Sequence, residues 1–337
     1  NPTPIGGIKQ LYKMAETLNK LGYISTIIHQ NHGFKLDWFS HSIPVVYYPD
    51  LYDLLNLSGE QPKLRHTKKY LQYKIDKKFK KTFILPEKNS ILMVPEVLGL
   101  KISGILNYKI IIYNQNNHYT FLDFPYFEKA QQDPYLHKNV LGIFTVSEYS
   151  RDYLSLAYPK KPVFNTGISL NNKFAPSNIP KQKKIAFMPR KLQQDSQQLF
   201  QLVQNSEAFK EWEFVAIDNK SEDEVIAILQ QSAIFLSFNH IEGFGLPPVE
   251  AMACGCYVIG YTGNAGREYF LPEFSTVIPD LDILTFAIEL EKLVLDYNKN
   301  PEFYTNKGMA ASNYVKTKYS SLNELNAVKN AMNSLKL

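Results

Sequence analysis

Two glutamates set around a glycine-rich turn are the residues best suited to chemistry in this chain. Glu242 and Glu250 are eight positions apart, and the segment that they bound reads EGFGLPPVE. Gly243 and Gly245 have no Cβ, so the backbone can turn sharply there and come close to a ligand. Their N–H groups, together with the positive end of a helix that we predict to begin at Pro247, attract phosphate groups. The arrangement suits a sugar diphosphate.

The two carboxylates are expected to have different roles. Glu250 would lie in the first helical turn, where the helix dipole alone favours a carboxylate. Glu242 precedes the turn and gains no such benefit, so its carboxylate is available to hydroxyl groups of a ligand. A carboxylate pair could also serve a glycosidase, but the position of Glu250 suits recognition better than bond cleavage. An isolated pair at this spacing is most often chance. Here the preceding apolar run, at 232–238, predicts a buried parallel strand, and ligands bind at the carboxyl ends of such strands.

The stretch from 242 to 264 resembles a known signature. EGFGLPPVEAMACG, followed by YVIGYTGN, closely resembles the donor-binding signature of retaining GT-B glycosyltransferases of the GT4 family, or glycosyl transferases group 1. The resemblance covers the whole chain but is specific only in the C-terminal half. It implies that Glu242 contacts the transferred sugar as a catalytic residue and that Glu250 binds the ribose hydroxyls of the donor. The further donor-binding residues that it implies are Gly243, Phe244, Gly245, Leu246, Thr262, Gly263 and Asn264.

A basic pair, Arg190 and Lys191, follows the strand predicted at 185–188. A guanidinium at the carboxyl end of a strand suits bidentate binding of phosphate. Many members of the family have an arginine here and a lysine a few residues later, both on the diphosphate. This chain has Asp195 near the later position, which carries the wrong charge. Either Lys191 substitutes for that lysine, or fewer charges hold the diphosphate. A solvated basic pair is the alternative.

A double glycine near the start of the chain resembles a second element of the family. Gly6 and Gly7 lie in a predicted loop before the first helix, and the family has a glycine turn there that faces the donor diphosphate. A doubly wound domain needs a strand before this helix, and we find none in the sequence. We therefore expect the natural protein to have a further apolar strand before Asn1. An ordinary tight turn at Gly6–Gly7 is the alternative.

Polar residues follow the strand predicted at 109–113. The sequence YNQNNHY at 113–119 offers neutral donors and acceptors at the carboxyl end of that strand. Family members often have a histidine near this point that contacts the transferred sugar. The resemblance makes His118 a candidate catalytic residue, and Gln115 and Asn116 candidates for acceptor binding, although a lone loop histidine is more often structural. Glu96, after a strand at 91–94, is another strand-end carboxylate that could serve the acceptor.

Apolar strands alternate with amphipathic helices along the chain, which is typical of an α/β doubly wound fold. Its 337 residues are too many for one ordinary core and suit two domains. We predict an N-terminal Rossmann-like acceptor-binding domain at 1–166, a C-terminal Rossmann-like nucleotide-sugar-binding domain at 167–318, and a helix at 319–337 that returns to the first domain. The resemblance implies the GT-B fold, in which the domains face each other across a cleft, with Gly167 as a candidate hinge.

Composition excludes several classes of protein. With 45% hydrophobic and 20% charged residues, the chain is globular rather than disordered. We find no apolar run long enough to cross a membrane and no signal peptide at Asn1. Cys254 and Cys256 are too close in sequence for an ordinary disulfide and too few for a zinc site. A net charge of +5 does not indicate nucleic acid. We expect a cytoplasmic protein.

The segment from Lys63 to Lys81 is strongly basic. Leu71, Ile75 and Phe79 recur there at helical spacing among lysines, which predicts a basic amphipathic helix. Such a helix could dock peripherally on the anionic inner face of the plasma membrane, where a lipid-linked acceptor would lie, or it could bind an acidic glycan. A solvated helix that packs its apolar stripe on its own domain is the alternative.

No metal ion or cofactor is expected beyond the sugar donor. Asp280 and Asp282 resemble the D-x-D metal motif of another glycosyltransferase architecture, but we interpret them as the cap and first turn of a helix. The resemblance implies a metal-independent retaining glycosyltransferase of hexosyl or deoxyhexosyl type, as in bacterial polysaccharide biosynthesis. It would move a sugar from a nucleoside-diphosphate sugar to a glycan or lipid-linked acceptor, with the diphosphate accepting the proton. The alternatives are a non-catalytic nucleotide-sugar-binding subunit, or a GT-B relative that acts as an epimerase or phosphorylase.

Overall fold

The computed structural model describes residues 6–36, 38–58, 84–124 and 133–337. The chain divides into two compact units. The first consists of residues 1–166 and 325–337, and the second of residues 167–324. No helix within the described ranges is both long enough and apolar enough to cross a membrane.

The first unit is built on parallel strands. β1 (Ile27–His29) pairs with β2 (Val45–Tyr47). A second parallel sheet contains, in this order, β3 (Ile91–Pro95), β4 (Lys109–Asn114), β5 (Val140–Thr145) and β6 (Val163–Asn165). The described helices are α1 (Gly6–Lys20), α2 (Pro49–Ser58) and α3 (Glu148–Ala157), with 3-10 segments at Glu96–Ile105, Asn117–Tyr119 and Pro134–Leu136. The core of the larger sheet includes the fully buried Ile110, Ile112 and Ile143.

The second unit has one five-stranded parallel sheet. Its strands are β7 (Gln182–Phe187), β8 (Glu213–Ala216), β9 (Ser232–Asn239), β10 (Tyr257–Thr262) and β11 (Ser275–Val277), in the order β11-β10-β9-β7-β8. Its helices are α4 (Gln193–Val203), α5 (Glu222–Gln231), α6 (Leu246–Ala253), α7 (Ile283–Lys299) and α8 (Pro301–Lys318). Every residue of β9 is buried, as its apolar run predicts for a central parallel strand. The predicted α/β class is confirmed.

Several helix ends follow the predicted chemistry. Ser147 caps α3 by accepting a hydrogen bond from the N–H of Ser150 at 3.1 Å. Asp282 caps α7 by accepting one from the N–H of Thr285 at 3.0 Å. Gly255 follows α6 in the left-handed conformation, with φ 81°. Asp282 is thus occupied as a helix cap, as interpreted from the sequence.

The start of the first unit differs from the prediction in two places. The strand expected from Ile24 begins at Ile27, and Ile24 is fully exposed. The side chain of Asn19 accepts a hydrogen bond from the N–H of Ser25 at 2.7 Å, and this bond holds the preceding residues as a loop. Gly6 and Gly7 were expected in a loop, but they form the first turn of α1.

The last helix, α9 (Ser321–Ser334), contains the division between the two units. Its residues up to Glu324 belong to the second unit, where Ser169 donates to the carboxylate of Glu324. Just before the helix, the carbonyl of Tyr319 accepts a hydrogen bond from the N–H of Leu170 at 2.9 Å. Its later residues belong to the first unit, and Val328 is fully buried there. The sequence predicts this division at 318, whereas the structure has it after Glu324.

Candidate active site

Three neighbouring strands of the second unit end at the same edge of its sheet. β9 lies between β7 and β10, and all three are parallel. The register pairs Phe187 with Leu236 and Thr262 with Asn239, so the loops after the three strands leave the sheet side by side. These loops, the last residue of β10 and the helix α6 carry the predicted donor-binding residues of this unit, which are Arg190, Lys191, Glu242, Gly243, Phe244, Gly245, Leu246, Glu250, Thr262, Gly263 and Asn264.

The turn after β9 leads directly into α6. Gly245 is the N-cap residue and has φ 83° and ψ 70°, a left-handed conformation that favours glycine. Leu246 is the first helical residue, and Pro247 and Pro248 follow it at positions where an absent N–H removes no helical hydrogen bond. The N–H groups of the turn and of the helix start therefore lie together at the positive end of the helix.

Glu250 lies beyond the first turn of α6, because the helix begins at Leu246. The prediction that it benefits from the helix dipole in the first turn was wrong, since that effect falls off within one turn. Its side chain is half-buried. The assignment of Glu250 to a ribose therefore depends on the resemblance and not on the dipole.

Lys191 and Glu242 form an ion pair that joins the loops after β7 and β9. The two side chains are 32% and 26% exposed, so solvent screens the pair only in part. Lys191 also lines a small recess together with Asn239 and Pro247. Arg190, next in the chain, is exposed. A bound diphosphate would meet one exposed cation and one cation that already neutralises Glu242.

Asp195 has a structural partner in the second unit. It lies in the first turn of α4, where the helix dipole favours a carboxylate, and it accepts a hydrogen bond from the hydroxyl of Tyr261 at 3.1 Å. Burial raises the pKa of Tyr261, and the nearby carboxylate of Asp195 raises it further. The carboxylate thus joins α4 to β10. That Lys191 substitutes for the lysine of the family stays a prediction.

The loop after β10 packs against the loop after β9. Gly263 has φ 57°, and a Cβ there would lie 3.1 Å from the carbonyl oxygen of His240. The hydroxyl of Thr262 donates to the carbonyl of Gly263 at 2.7 Å. Asn264 is half-buried and precedes a short 3-10 turn. Small residues are therefore required here because two loops approach closely.

In the first unit, a buried carboxylate holds the polar loop after β4. Glu96 is 3% exposed, and its oxygens accept hydrogen bonds from the N–H groups of Gln115 at 2.9 Å and Asn116 at 3.0 Å. Burial raises the pKa of Glu96 to about 7, and the hydrogen bonds from the backbone counteract only part of this rise. Both carboxylate oxygens are thus engaged within the loop, and we interpret Glu96 as its support rather than as a group for the acceptor.

The same loop brings several predicted residues together. A Cβ on Gly7 would lie 3.1 Å from the side-chain oxygen of Gln115, so the absence of a side chain lets Gln115 approach α1. The side-chain oxygen of Asn116 accepts a hydrogen bond from the N–H of His118 at 3.1 Å and caps the 3-10 turn that carries this histidine. Gly7, Gln115, Asn116 and His118 therefore form one group in the first unit.

A family model identifies part of the second unit. Residues 192–308 match the model described as Glycosyl transferases group 1. All of the matched residues lie in the second unit. Except for Arg190 and Lys191, all predicted donor-binding residues of this unit lie within the matched residues. Over 50 residues, the chain is also 46% identical to an alpha-1,6-glucosyltransferase from Actinobacillus pleuropneumoniae serotype 7 (strain AP76), and this match covers 15% of each protein.

Solved structures show that the chain has the GT-B fold, as predicted. The lipopolysaccharide outer core galactosyltransferase WaaB, in its apo form, superposes with a TM-score of 0.61 at 11% identity, covering 100% of this chain and 98% of that one. A TarM mutant from S. aureus superposes with a TM-score of 0.56 at 17% identity, covering 77% of this chain and 58% of that one. That structure is a complex with fondaparinux, alpha-GlcNAc-glycerol and UDP. Both units are thus Rossmann-like domains.

Two supporting residues of the second unit were missed in the sequence. Asn239 and the fully buried Tyr269 lie against Gly245 in the loop after β9, where a Cβ would be 2.1 Å from the amide nitrogen of Asn239. No spacing in the sequence connects Tyr269 to a loop so far before it. The basic segment from Lys63 to Lys81 lies outside the described residues.

Proposed function

We propose that the chain is a retaining glycosyltransferase that moves a hexose or deoxyhexose from a nucleoside-diphosphate sugar to a hydroxyl group of a glycan or lipid-linked acceptor. The observation that carries the proposal is the pairing of Lys191 with Glu242 beside the N-terminus of α6, in the unit that matches the group 1 model. A cation and a helix N-terminus suit a diphosphate, and a carboxylate suits the hydroxyls of a sugar.

The charged and polar groups have separate parts in this proposal. Arg190, Lys191 and the N–H groups at the start of α6 stabilise the negative charge of the departing diphosphate. Glu242 accepts hydrogen bonds from the transferred sugar, and Glu250 accepts them from the ribose. The loop with His118 belongs to the first unit and would serve the sugar or the acceptor.

The reaction balances without a protein base. The acceptor oxygen attacks the anomeric carbon from the face that the diphosphate leaves, and the bond from this carbon to the diphosphate oxygen breaks as the new bond forms. The proton of the acceptor hydroxyl passes to an oxygen of the diphosphate. The anomeric configuration is retained, and alignment with charge stabilisation supplies the rate enhancement. In this proposal, positive side chains take the place of a metal ion.

Similar proteins suggest which donors to examine first. The TarM complex contains UDP, and two of the similar proteins are named a glucosyltransferase and a galactosyltransferase. We therefore place UDP-glucose and UDP-galactose first among the donors, followed by other nucleoside-diphosphate hexoses and deoxyhexoses.

The test is release of nucleoside diphosphate from a panel of donors in the presence of glycan acceptors. We expect Glu242→Gln to lower kcat at least about tenfold, because it weakens a charge-assisted contact with the sugar. Glu213→Gln is the matched control, since Glu213 pairs with Lys184 at 3.6 Å and is largely exposed on β8. Its activity should equal that of the wild type.

Each other outcome has a defined meaning. Binding of a nucleoside diphosphate without turnover of any donor would favour a non-catalytic nucleotide-sugar-binding subunit. Formation of a sugar phosphate from glycan and inorganic phosphate would indicate a phosphorylase, and interconversion of the donor sugar an epimerase. An inverted anomeric configuration, read by NMR of the product, would contradict the retaining mechanism, and loss of activity in EDTA would contradict metal independence.

A further inference from the structure

A wholly buried tyrosine lies under residues 242–246, which we call the donor loop. Tyr269 is 0% exposed, and its hydroxyl oxygen is 2.8 Å from the carbonyl oxygen of Phe244 and 2.9 Å from that of Gly245. These two carbonyls belong to consecutive peptide groups just before helix α6. One hydroxyl proton is thus shared between two neighbouring acceptors.

The direction of the carbonyls fixes the direction of two N–H groups. A trans peptide group is planar, and its N–H points opposite to its C=O. The carbonyl of Phe244 shares its peptide group with the N–H of Gly245, and the carbonyl of Gly245 shares one with the N–H of Leu246. Because both carbonyls point at the buried hydroxyl, both N–H groups point away from that hydroxyl. A helix start also leaves such N–H groups without intrahelical partners.

We propose that Tyr269 is a positioning residue of the donor site, whose hydroxyl holds the carbonyls of Phe244 and Gly245 and thereby aims the N–H groups of Gly245 and Leu246 at the diphosphate. This inference rests on the proposed function of the loop. It assigns to Tyr269 no contact with the substrate.

The surroundings hold the tyrosine in the orientation that this role requires. The side-chain amide of Asn239 donates to the hydroxyl of Tyr269 at 3.5 Å, a long contact that leaves the hydroxyl proton directed at the carbonyls. The rings of Phe244 and Tyr319 lie 5.7 Å and 6.2 Å from the ring of Tyr269. Burial raises the pKa of Tyr269 well above its ordinary value, so the hydroxyl remains a donor throughout the working pH range.

Gly245 makes the close approach possible. A Cβ at this position would lie 2.7 Å from the hydroxyl of Tyr269 and 2.1 Å from the amide nitrogen of Asn239. Such contacts are far shorter than real Cβ atoms have, so a side chain here would displace both supporting groups. The absence of a side chain at Gly245 and the buried hydroxyl of Tyr269 are thus two parts of one support.

The test removes only the hydroxyl. In Tyr269→Phe, we expect the Kd for UDP, or for whichever nucleoside diphosphate the wild type binds, to rise about five- to tenfold, the effect of one lost hydrogen bond. The KM for the donor should rise with it, while the KM for the acceptor should not change. Amide hydrogen exchange over residues 242–249 should become faster than in the wild type.

Tyr314→Phe is the matched control. The hydroxyl of Tyr314 also donates to a backbone carbonyl, that of Glu268 at 3.0 Å, but outside the donor loop. This variant should bind the nucleotide within about twofold of the wild type. If Tyr269→Phe does not fold, Asn239→Ala removes the second supporting group and should weaken nucleotide binding in the same direction.

Two results would overturn the inference. The first is nucleotide binding by a folded Tyr269→Phe protein that equals the wild type. The second is unchanged hydrogen exchange over residues 242–249. A wild type that binds no nucleoside diphosphate at all would instead contradict the proposed function, and the exchange measurement would still report whether Tyr269 holds the loop.

Discussion

At the scale of single residues, Lys191 has two competing partners. It pairs with Glu242 in the structure, and in the proposed reaction it also faces the leaving diphosphate. We expect Lys191→Met to raise the Kd for UDP about tenfold at low ionic strength, because a charge-assisted contact is lost. The difference should shrink as salt is added, since the side chain is about one-third exposed.

Lys184→Met is the control for this prediction. Lys184 lies on β7, in the same strand–loop segment as Lys191, and pairs with Glu213 at 3.6 Å. Titration calorimetry at two salt concentrations measures the Kd for UDP of both variants. Equal weakening of UDP binding by the two substitutions would show that only net charge matters.

Glu96 gives a prediction about pH. Its pKa is about 7 in the folded protein, against an ordinary value of 4.5, so the folded state retains a proton that the unfolded state has lost. The free energy of unfolding should therefore fall as pH rises from about 5 to 8, and Glu96→Gln should lack this part of the fall, worth up to about 3 kcal/mol. Urea denaturation of both proteins at pH 5 and pH 8 measures it.

Glu87→Gln, at an exposed position, should retain the pH dependence of the wild type. If the free energy of unfolding depends on pH equally in the wild type and in Glu96→Gln, Glu96 does not carry the proton.

The sequence revealed some of these residues and not others, for a physical reason. Glu242 and Lys191 were found because strand, turn and helix start are local patterns, and the resemblance gave them roles. Glu96 was named only as a strand-end carboxylate, because its contacts with the N–H groups of Gln115 and Asn116 cannot be read from a local pattern. The proposed role of Tyr269 depends in the same way on the carbonyls of Phe244 and Gly245. Contacts between residues so distant in the chain arise only from the fold.

At the scale of elements, the entry into α6 should be sensitive to any side chain. Gly245→Ala introduces both left-handed strain and collisions with Asn239 and Tyr269. Gly22, after α1, has φ 93° but nothing within 4 Å of its Cβ position, so Gly22→Ala introduces strain alone. We expect Gly22→Ala to lower the free energy of unfolding by about 1 kcal/mol and Gly245→Ala by about 1–3 kcal/mol more.

Urea denaturation compares the two alanine variants. Equal losses of unfolding free energy would show that the donor loop rearranges to accommodate a side chain. This would contradict the close packing around Gly245.

The elements themselves were predicted unevenly. Buried strands such as β9 and the caps at Ser147, Asp282 and Gly255 follow from apolar runs and side-chain chemistry, and they are confirmed. Boundaries were less accurate where a local hydrogen bond overrides an apolar pattern. The loop that Asn19 holds before β1 is one case. The start of α6 at Leu246, one residue earlier than predicted, places Glu250 outside the first helical turn.

At the scale of the whole molecule, α9 should stabilise the first unit. Val328 is fully buried and Leu322, on the same helix, is 64% exposed. Val328→Asp places a charge in an apolar core and should cost more than about 3 kcal/mol, whereas Leu322→Asp should change stability by about 0.5 kcal/mol or less. Hydrogen exchange should show faster opening of peptides from residues 84–124 than of peptides from the second unit.

If Val328→Asp accelerates hydrogen exchange equally in both units, the assignment of residues 325–337 to the first unit is contradicted. Peptides from 182–187 and 232–239 report on the second unit, because they are its central strands.

The first unit is begun before the second on the ribosome but is completed after it. Residues 167–324 are one uninterrupted stretch, so the second unit can acquire its native contacts while the chain is still growing. The first unit emerges earlier but waits for residues 325–337, and Tyr23 donates its hydroxyl to the carbonyl of Leu337 at 2.9 Å. Until then the surface that receives Val328 and Ala331 is uncovered, so we expect the first unit to be open to chaperones for longer than the second.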